Sequence, residues 1–445
     1  MRKTLEMLGG GALNLVANAG VAIPYFFALM LYNQHKTEPV FALPFLMLYT
    51  FRCIGMLLTS QIKKSASTML NVSNLFGVIG SIALMFSGQA FFGVLGGILL
   101  GLSSSWTWPY FLTMRSRGKL DNEFSMDKKQ LASSGVTLLI LLLVSWWATK
   151  TNDMALAFAF LAVMFLLSWV GGVFMKQEID FYHNDDYKAK FVSPSRVILN
   201  LVYLTILVIL MFSIRYSRLT TTSHYVDLIM CIFAAIVFGM LIYYQLGLHK
   251  RIFPLSLGAI NRGIVMNFLL LYSSFDSTLR FGFNSMVIVF VIYLLGFELG
   301  PMILKKHVEL RFPLLLIGLL LSLFNFAPIY FIGLLFCAIF VGADNVILNN
   351  SLYSHPNLDG ERAFLIKYQL SSVGNISQQL IYMTAIYILS YFNNLNVLSF
   401  FNSTVKGATY SMLTGLHTGI TLEIFVISSI TYYCIWKFYP KNQLS

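Results

Sequence analysis

The sequence predicts an all-α polytopic membrane protein. It reads as fourteen transmembrane helices, two six-helix halves plus two inserted helices, with the N- and C-termini cytoplasmic. Three observations carry that prediction. The chain is 57% hydrophobic and only 11% charged, whereas a soluble domain carries roughly 25% charged residues. Its apolar residues come in long unbroken blocks, and a bilayer core of about 30 Å takes about 20 residues of helix to cross. Lysine and arginine gather in alternate loops, the bias that marks the cytoplasmic side. The short alternating segments of a membrane β-barrel are missing.

The first block follows MRKTLEML and covers about 8–32, too long for the apolar core of a secretory signal, so it reads as a membrane helix. Further spans are expected at 40–60, 69–88, 89–113, 131–149, 154–175, 197–214, 227–248, 253–274, 281–304, 313–331, 332–352, 371–392 and 412–436. Two of the runs, 69–113 and 313–352, are too long for one crossing; they are divided into hairpins at Ser87-Gly88 and at Tyr330–Gly333. With these spans the basic loops 61–68, 114–130, 176–196, 249–252, 305–312 and 353–370 all fall on the side of the two termini. One misplaced helix would scramble that bias. The net charge of +12 is therefore assigned to loops flanking a bilayer, not to a nucleic-acid surface.

Two long basic loops look alike. WPYFLTMRSRGKLDNEFSMDKKQLASSG and NNSLYSHPNLDGERAFLIKYQLSSVG each follow a helix hairpin, and each enters the next helix through Lys-x-Gln-Leu-x-Ser, at Lys128–Ser133 and Lys367–Ser372. The first span carries GALN at Gly11–Asn14 and the ninth GAIN at Gly258–Asn261. Such matches indicate two related halves, 1–175 and 253–445, separated by a cytoplasmic linker with two inserted helices at 176–252. Parallel six-helix repeats with a site near mid-membrane are a known transporter plan. The topology resembles the major facilitator superfamily in its fourteen-helix form. The fourth span, GGILLGLSSSWTWPYFLTMRSRGK, is similar to that family's fourth helix. The stretch GMLLTSQIKK keeps Gly55, Leu57, Lys63 and Lys64 of the family's loop signature, with Thr59 where the family has an acid. The antiporter motif of the drug exporters and the glutamate-arginine signature of the peptide branch are missing. The resemblance implies two halves rocking around a cavity lined by the first and fourth helix of each half.

Ionisable residues inside apolar spans are candidates for function, since each costs at least about 2.5–3.5 kcal/mol at a helix centre. There are five: Arg52, Arg262, Glu298, Asp344 and Glu423. At 1.5 Å per residue, Arg262 lies ~14 Å and Asp344 ~12 Å from the cytoplasmic ends of their spans. The resemblance places both spans on the cavity, so Asp344 is expected to pair with Arg262. Protonating Asp344 would then release Arg262 for an anion; a static ion pair is the alternative. Arg52 would bind a substrate anion, pair with Glu298 or Glu423, or snorkel to the headgroups. Glu298 sits among Gly296, Gly300 and Pro301, read as a break that admits water, and would be a gate contact or a proton site. Glu423 reads as structural. Asn14, Asn261 and Asn345 are expected to add a polar lining, with helix–helix hydrogen bonding as the alternative. Trp106 would stack on a ligand, whereas Trp108 and Tyr110 read as interfacial anchors.

Other chemistry is not indicated. No phosphate-cradling Gly-x-x-x-x-Gly-Lys loop is present, no metal spacing occurs among the seven histidines, and no catalytic pair appears, so neither enzyme activity, metal nor cofactor is expected. Cys53, Cys231, Cys337 and Cys434 stand at unrelated spacings and read as small buried hydrophobes. The expectation is a secondary active transporter in the cell membrane, a monomer in the lipid bilayer. It would move a small anionic or zwitterionic solute by alternating access, with a proton as coupling ion. The alternatives are a flippase for a lipid-linked or amphipathic substrate and a non-transporting scaffold.

Overall fold

The computed structural model describes residues 2–19, 22–35, 38–59, 65–120, 153–180, 252–282, 284–355, 360–395 and 410–438, with scattered positions between 136 and 243. The expected spans 131–149, 197–214 and 227–248 lie outside the described residues apart from those positions. Among the described residues all regular structure is helical, and six helices are long and apolar enough to cross a membrane. The chain divides into two compact units, Met1–Phe212 and Ser213–Ser445.

The first unit contains α1 (Arg2–Ala19), α2 (Ala22–Gln34), α3 (Ala42–Leu58), α4 (Ala66–Met85), α5 (Ala90–Leu120) and α6 (Met154–Asp180). Together α1 and α2 occupy the first expected span. Ser65 caps α4 by accepting the Thr68 N–H on its hydroxyl. A turn over residues 86–89 separates α4 from α5, at the hairpin expected around Ser87-Gly88. α5 packs on both α3 and α4, and α6 on α1 and α4. Glycines allow these approaches: a Cβ on Gly9 would lie 2.8 Å from the Gly171 nitrogen, and one on Gly80 2.9 Å from the Leu100 nitrogen. Close contact through small residues is how membrane helices pack when lipid is as apolar as leucine. The opposite face of α4 exposes Leu75, Ile79 and Ile82, spaced by four and three residues, a continuous apolar stripe suited to lipid.

The second unit contains α7 (Phe253–Asn267), a π-helical turn (Phe268–Tyr272), α8 (Ser273–Phe281), α9 (Asn284–Ile303), α10 (Arg311–Ser322), α11 (Ala327–Tyr353), α12 (Gly360–Phe392) and α13 (Tyr410–Phe438). Three boundaries differ from the expected spans. The ninth span does not end at 274 but runs on to Phe281, where Gly282 at φ 91° closes it and donates to the Thr278 carbonyl. The hairpin expected at Tyr330–Gly333 lies instead over residues 323–326. Pro328 explains the shift, because a proline in the first turn of a helix loses no hydrogen bond and has a fitting φ. Gly333 does not break the helix; it is a packing position, and a Cβ there would lie 2.6 Å from the Gly318 carbonyl of α10. Finally, α12 starts at Gly360, not at 371.

α11 packs on α9 and α10 on one side and on α7 and α12 on the other. The water-admitting break expected around Glu298 is not there. α9 is continuous through Pro301, and Gly296 and Gly300 press against Ala338, Ile339 and Ala343 of α11. Glu298 itself is exposed on the far side of α9, beside exposed Leu294, Leu295 and Leu299.

Candidate functional site

Asp344 is fully buried in the middle of α11. Its Oδ1 accepts a hydrogen bond from the Arg311 Nε at 3.0 Å. The expected pairing with Arg262 is therefore corrected: the partner is Arg311, the first residue of α10. Arg311 also donates from Nη1 to the Val308 carbonyl at 3.2 Å, and its guanidinium lies 5.2 Å from the centre of the Phe312 ring. Those contacts fix the side chain pointing into the unit, where it is 2% exposed. The sequence puts Arg311 in the loop 305–312, whereas it opens α10. A long basic side chain at a helix start normally keeps its head in water; here the Asp344 carboxylate holds it inside.

Arg262 is also buried and belongs to the same neighbourhood. Its Nη1 donates to the Ser371 hydroxyl of α12 at 3.4 Å, and its Nε makes no hydrogen bond. Its charge and that of Lys367 both act on Asp344 through space. Lys367 is the second residue that sequence reading missed. The sequence places it in the loop 353–370, yet it is the eighth residue of α12 and is 0% exposed. Its ammonium donates to the Asn345 carbonyl at 2.9 Å, to the Asn345 side-chain oxygen, and to the Asn349 side-chain oxygen at 2.7 Å. Asn345 also accepts from the Tyr368 hydroxyl at 3.1 Å. The expected site residue Asn345 is thus present, but its immediate task is to hold a buried lysine.

The result is one carboxylate paired with Arg311, with two further buried basic side chains, Arg262 and Lys367, acting on it through space. Burying charge is costly unless the charges are paired and hydrogen-bonded. Here pairing is incomplete: among the described residues the Asp344 Oδ2 and the Arg262 Nε find no hydrogen-bond partner. The cluster therefore has unused capacity to accept and to donate, and more basic side chains than acidic ones.

The other expected residues are placed elsewhere. Asn261 accepts from the Ser428 hydroxyl at 3.0 Å, tying α7 to α13. Asn267 donates to Asn375 at 3.0 Å and ties α7 to α12. Glu423 is half-buried and accepts from Gln378 at 3.0 Å. Three candidates belong to the first unit. Asn14 is buried in α1. Arg52 is half-buried in α3 and makes no ion pair with another described residue. Trp106 is buried, donates from Nε1 to the Gly55 carbonyl at 2.8 Å, and leans on Phe76 at 5.8 Å. Its ring is a tie between α5 and α3 where the sequence suggested a platform for a ligand. Trp106→Phe is expected to cost about 1 kcal/mol, the net worth of one buried hydrogen bond, as read from thermal unfolding in detergent.

No protein-family model matches the chain, and no curated protein matches it in sequence. Solved structures do match the fold. A variant of a POT peptide transporter in complex with alafosfalin is 14% identical, with a TM-score of 0.56 over 98% of this chain and 94% of that one. A POT family transporter in complex with 5-aminolevulinic acid is 15% identical, with a TM-score of 0.55 over 96% of each chain. A bacterial homologue of the human drug peptide transporters is 13% identical, with a TM-score of 0.53 over 98% of each chain. The chain is thus a polytopic membrane protein with the fold of these transporters.

Proposed function

We propose that the chain is a secondary active transporter that moves a small anionic or zwitterionic solute by alternating access. The observation that carries this reading is the buried cluster itself: Asp344 with three buried basic side chains, in a fold shared with solute carriers. A structural ion pair has no use for two further buried basic side chains. A solute carboxylate would supply the acid that the cluster lacks, with the free Arg262 Nε as a donor. The structural neighbours support that chemistry, since peptides and 5-aminolevulinic acid both present a carboxylate. Asp344 and the solute would compete for the same basic side chains, so binding of one weakens the hold on the other. Arg311, which joins α10 to α11 through Asp344, is the contact that such competition would loosen.

The test is uptake by the purified protein reconstituted in proteoliposomes, offered a panel of labelled dipeptides, amino acids and small carboxylates. Saturable uptake of a carboxylate-bearing solute, with none of a purely cationic one, is the expected outcome. A protein that moves fluorescent lipid between leaflets and takes up none of the panel would instead be a flippase.

A further inference from the structure

A second buried charge cluster lies toward the other end of α11. Tyr330 belongs to it and precedes Asp344 by fourteen residues, about 21 Å along a helix rising 1.5 Å per residue. Its centre is Asp276 of α8, which is 4% exposed. Asp276 Oδ1 accepts from the Arg280 Nε at 2.9 Å and from the Tyr272 hydroxyl at 3.4 Å, while Oδ2 accepts from the Tyr330 hydroxyl at 3.1 Å. Arg280 also donates to the Asn325 side chain and to the Leu413 carbonyl at 3.1 Å. Into this arrangement α13 inserts His417, 1% exposed.

The geometry of His417 fixes its tautomer. Its Nε2 lies 2.8 Å from the Ser322 carbonyl, which can only accept, so Nε2 carries a hydrogen. Its Nδ1 then faces the Asp276 Oδ2 at 3.3 Å and makes no hydrogen bond among the described residues. In a neutral ring two acceptors confront each other there. One added proton on Nδ1 turns that confrontation into a charge-assisted hydrogen bond. The ring is stacked on Tyr272 at 5.7 Å and on Phe268 at 6.3 Å, with Tyr330 tilted over it at 5.7 Å. Aromatic faces favour a cation between them. From α12, Tyr382 backs Tyr272. The charged groups facing the imidazole are thus Asp276 and Arg280 of α8, and the titratable ones are Tyr272 and Tyr330; α10 contributes only a carbonyl.

We infer that His417 and Asp276 form a proton-binding site, in which a proton taken up at His417 Nδ1 ties α13 to α8 while the Nε2 contact to α10 persists. Release of that proton removes this tie, while the Nε2 contact to α10 and the Arg280–Leu413 hydrogen bond to α8 persist. Coupling of this proton to solute movement rests on the transporter reading above; proton binding itself does not.

The experiment is nuclear magnetic resonance of the full chain in lipid nanodiscs, isotopically labelled at the histidine ring nitrogens, without added solute. The His417 signals are identified by their loss in His417→Gln and, should that variant not fold, by their selective displacement in Tyr330→Phe. The expected result is an Nε2-protonated neutral ring at high pH that becomes an imidazolium as the pH is lowered. In Asp276→Asn the transition is expected at lower pH, because the carboxylate no longer favours the cation. A His417 ring that stays neutral throughout, or that carries its hydrogen on Nδ1 at high pH, would overturn the inference. Titration in a protein that transports nothing would leave the site intact and refute the transporter.

Discussion

An Arg311→Ala chain is expected to lose about 3–5 kcal/mol of stability, the cost of stranding a buried charge. Asp344 is fully buried and its Oδ2 already lacks a hydrogen-bond partner. Removing the Arg311 Nε takes away its ion-pair contact at 3.0 Å. Arg262 and Lys367 are engaged by Ser371, Asn345 and Asn349 and make no hydrogen bond to Asp344 among the described residues. The chain carrying both Arg311→Met and Asp344→Leu is expected to recover most of the loss, since apolar side chains of similar volume replace an ion pair at little net cost. Thermal unfolding in detergent, followed on the single and double variants, checks both statements. A single variant as stable as the wild type would mean that Asp344 is neutral or hydrated.

Gly374→Ala is expected to destabilise the second unit by about 3 kcal/mol, at the upper end of what overpacking usually costs. A Cβ at Gly374 would collide with the Ile260 carbonyl, and one at Gly263 with the Ser371 carbonyl, so α7 and α12 touch backbone to backbone. Backbone cannot turn aside as a side chain can. The helices would have to part, and the links Asn267–Asn375 and Arg262–Ser371 span that contact. The variant should appear as reduced yield of folded protein and a lower midpoint of unfolding. Gly419→Ala in α13, where nothing lies within 4 Å of an added Cβ, is the control that should leave both unchanged.

The sequence made the membrane class plain, because apolar blocks and charged loops alternate whatever the tertiary packing. Its errors sit where a residue near a loop turned inward. Arg311 and Lys367 were read as loop cations because each lies within a few residues of exposed charge; that their long stems reach the Asp344 neighbourhood depends on how α10, α11 and α12 pack. Asp344 itself stood out, since a carboxylate in LFCAIFVGADNVILNN has no other explanation than a buried partner. The identity of that partner was not in the spacing. Gly333, Gly296 and Gly300 were read as interruptions, whereas in a membrane unit they let α11 touch its neighbours. For the second cluster a signal was present. Asp276 and Arg280 stand four apart in SFDSTLR, a helical ion-pair spacing, and His417 lies inside the last apolar span. Ending the ninth span at 274 hid the first, and treating the histidines only as metal ligands hid the second.

The central claim is that the Asp344–Arg311 pair works in transport and is not a brace. Solute uptake by proteoliposomes containing the Arg311→Met, Asp344→Leu chain tests it most directly, because that chain is expected to stay folded. The account predicts unfolding close to that of the wild type together with loss of carboxylate-solute uptake. Uptake at the wild-type rate would contradict it and leave the pair as scaffolding.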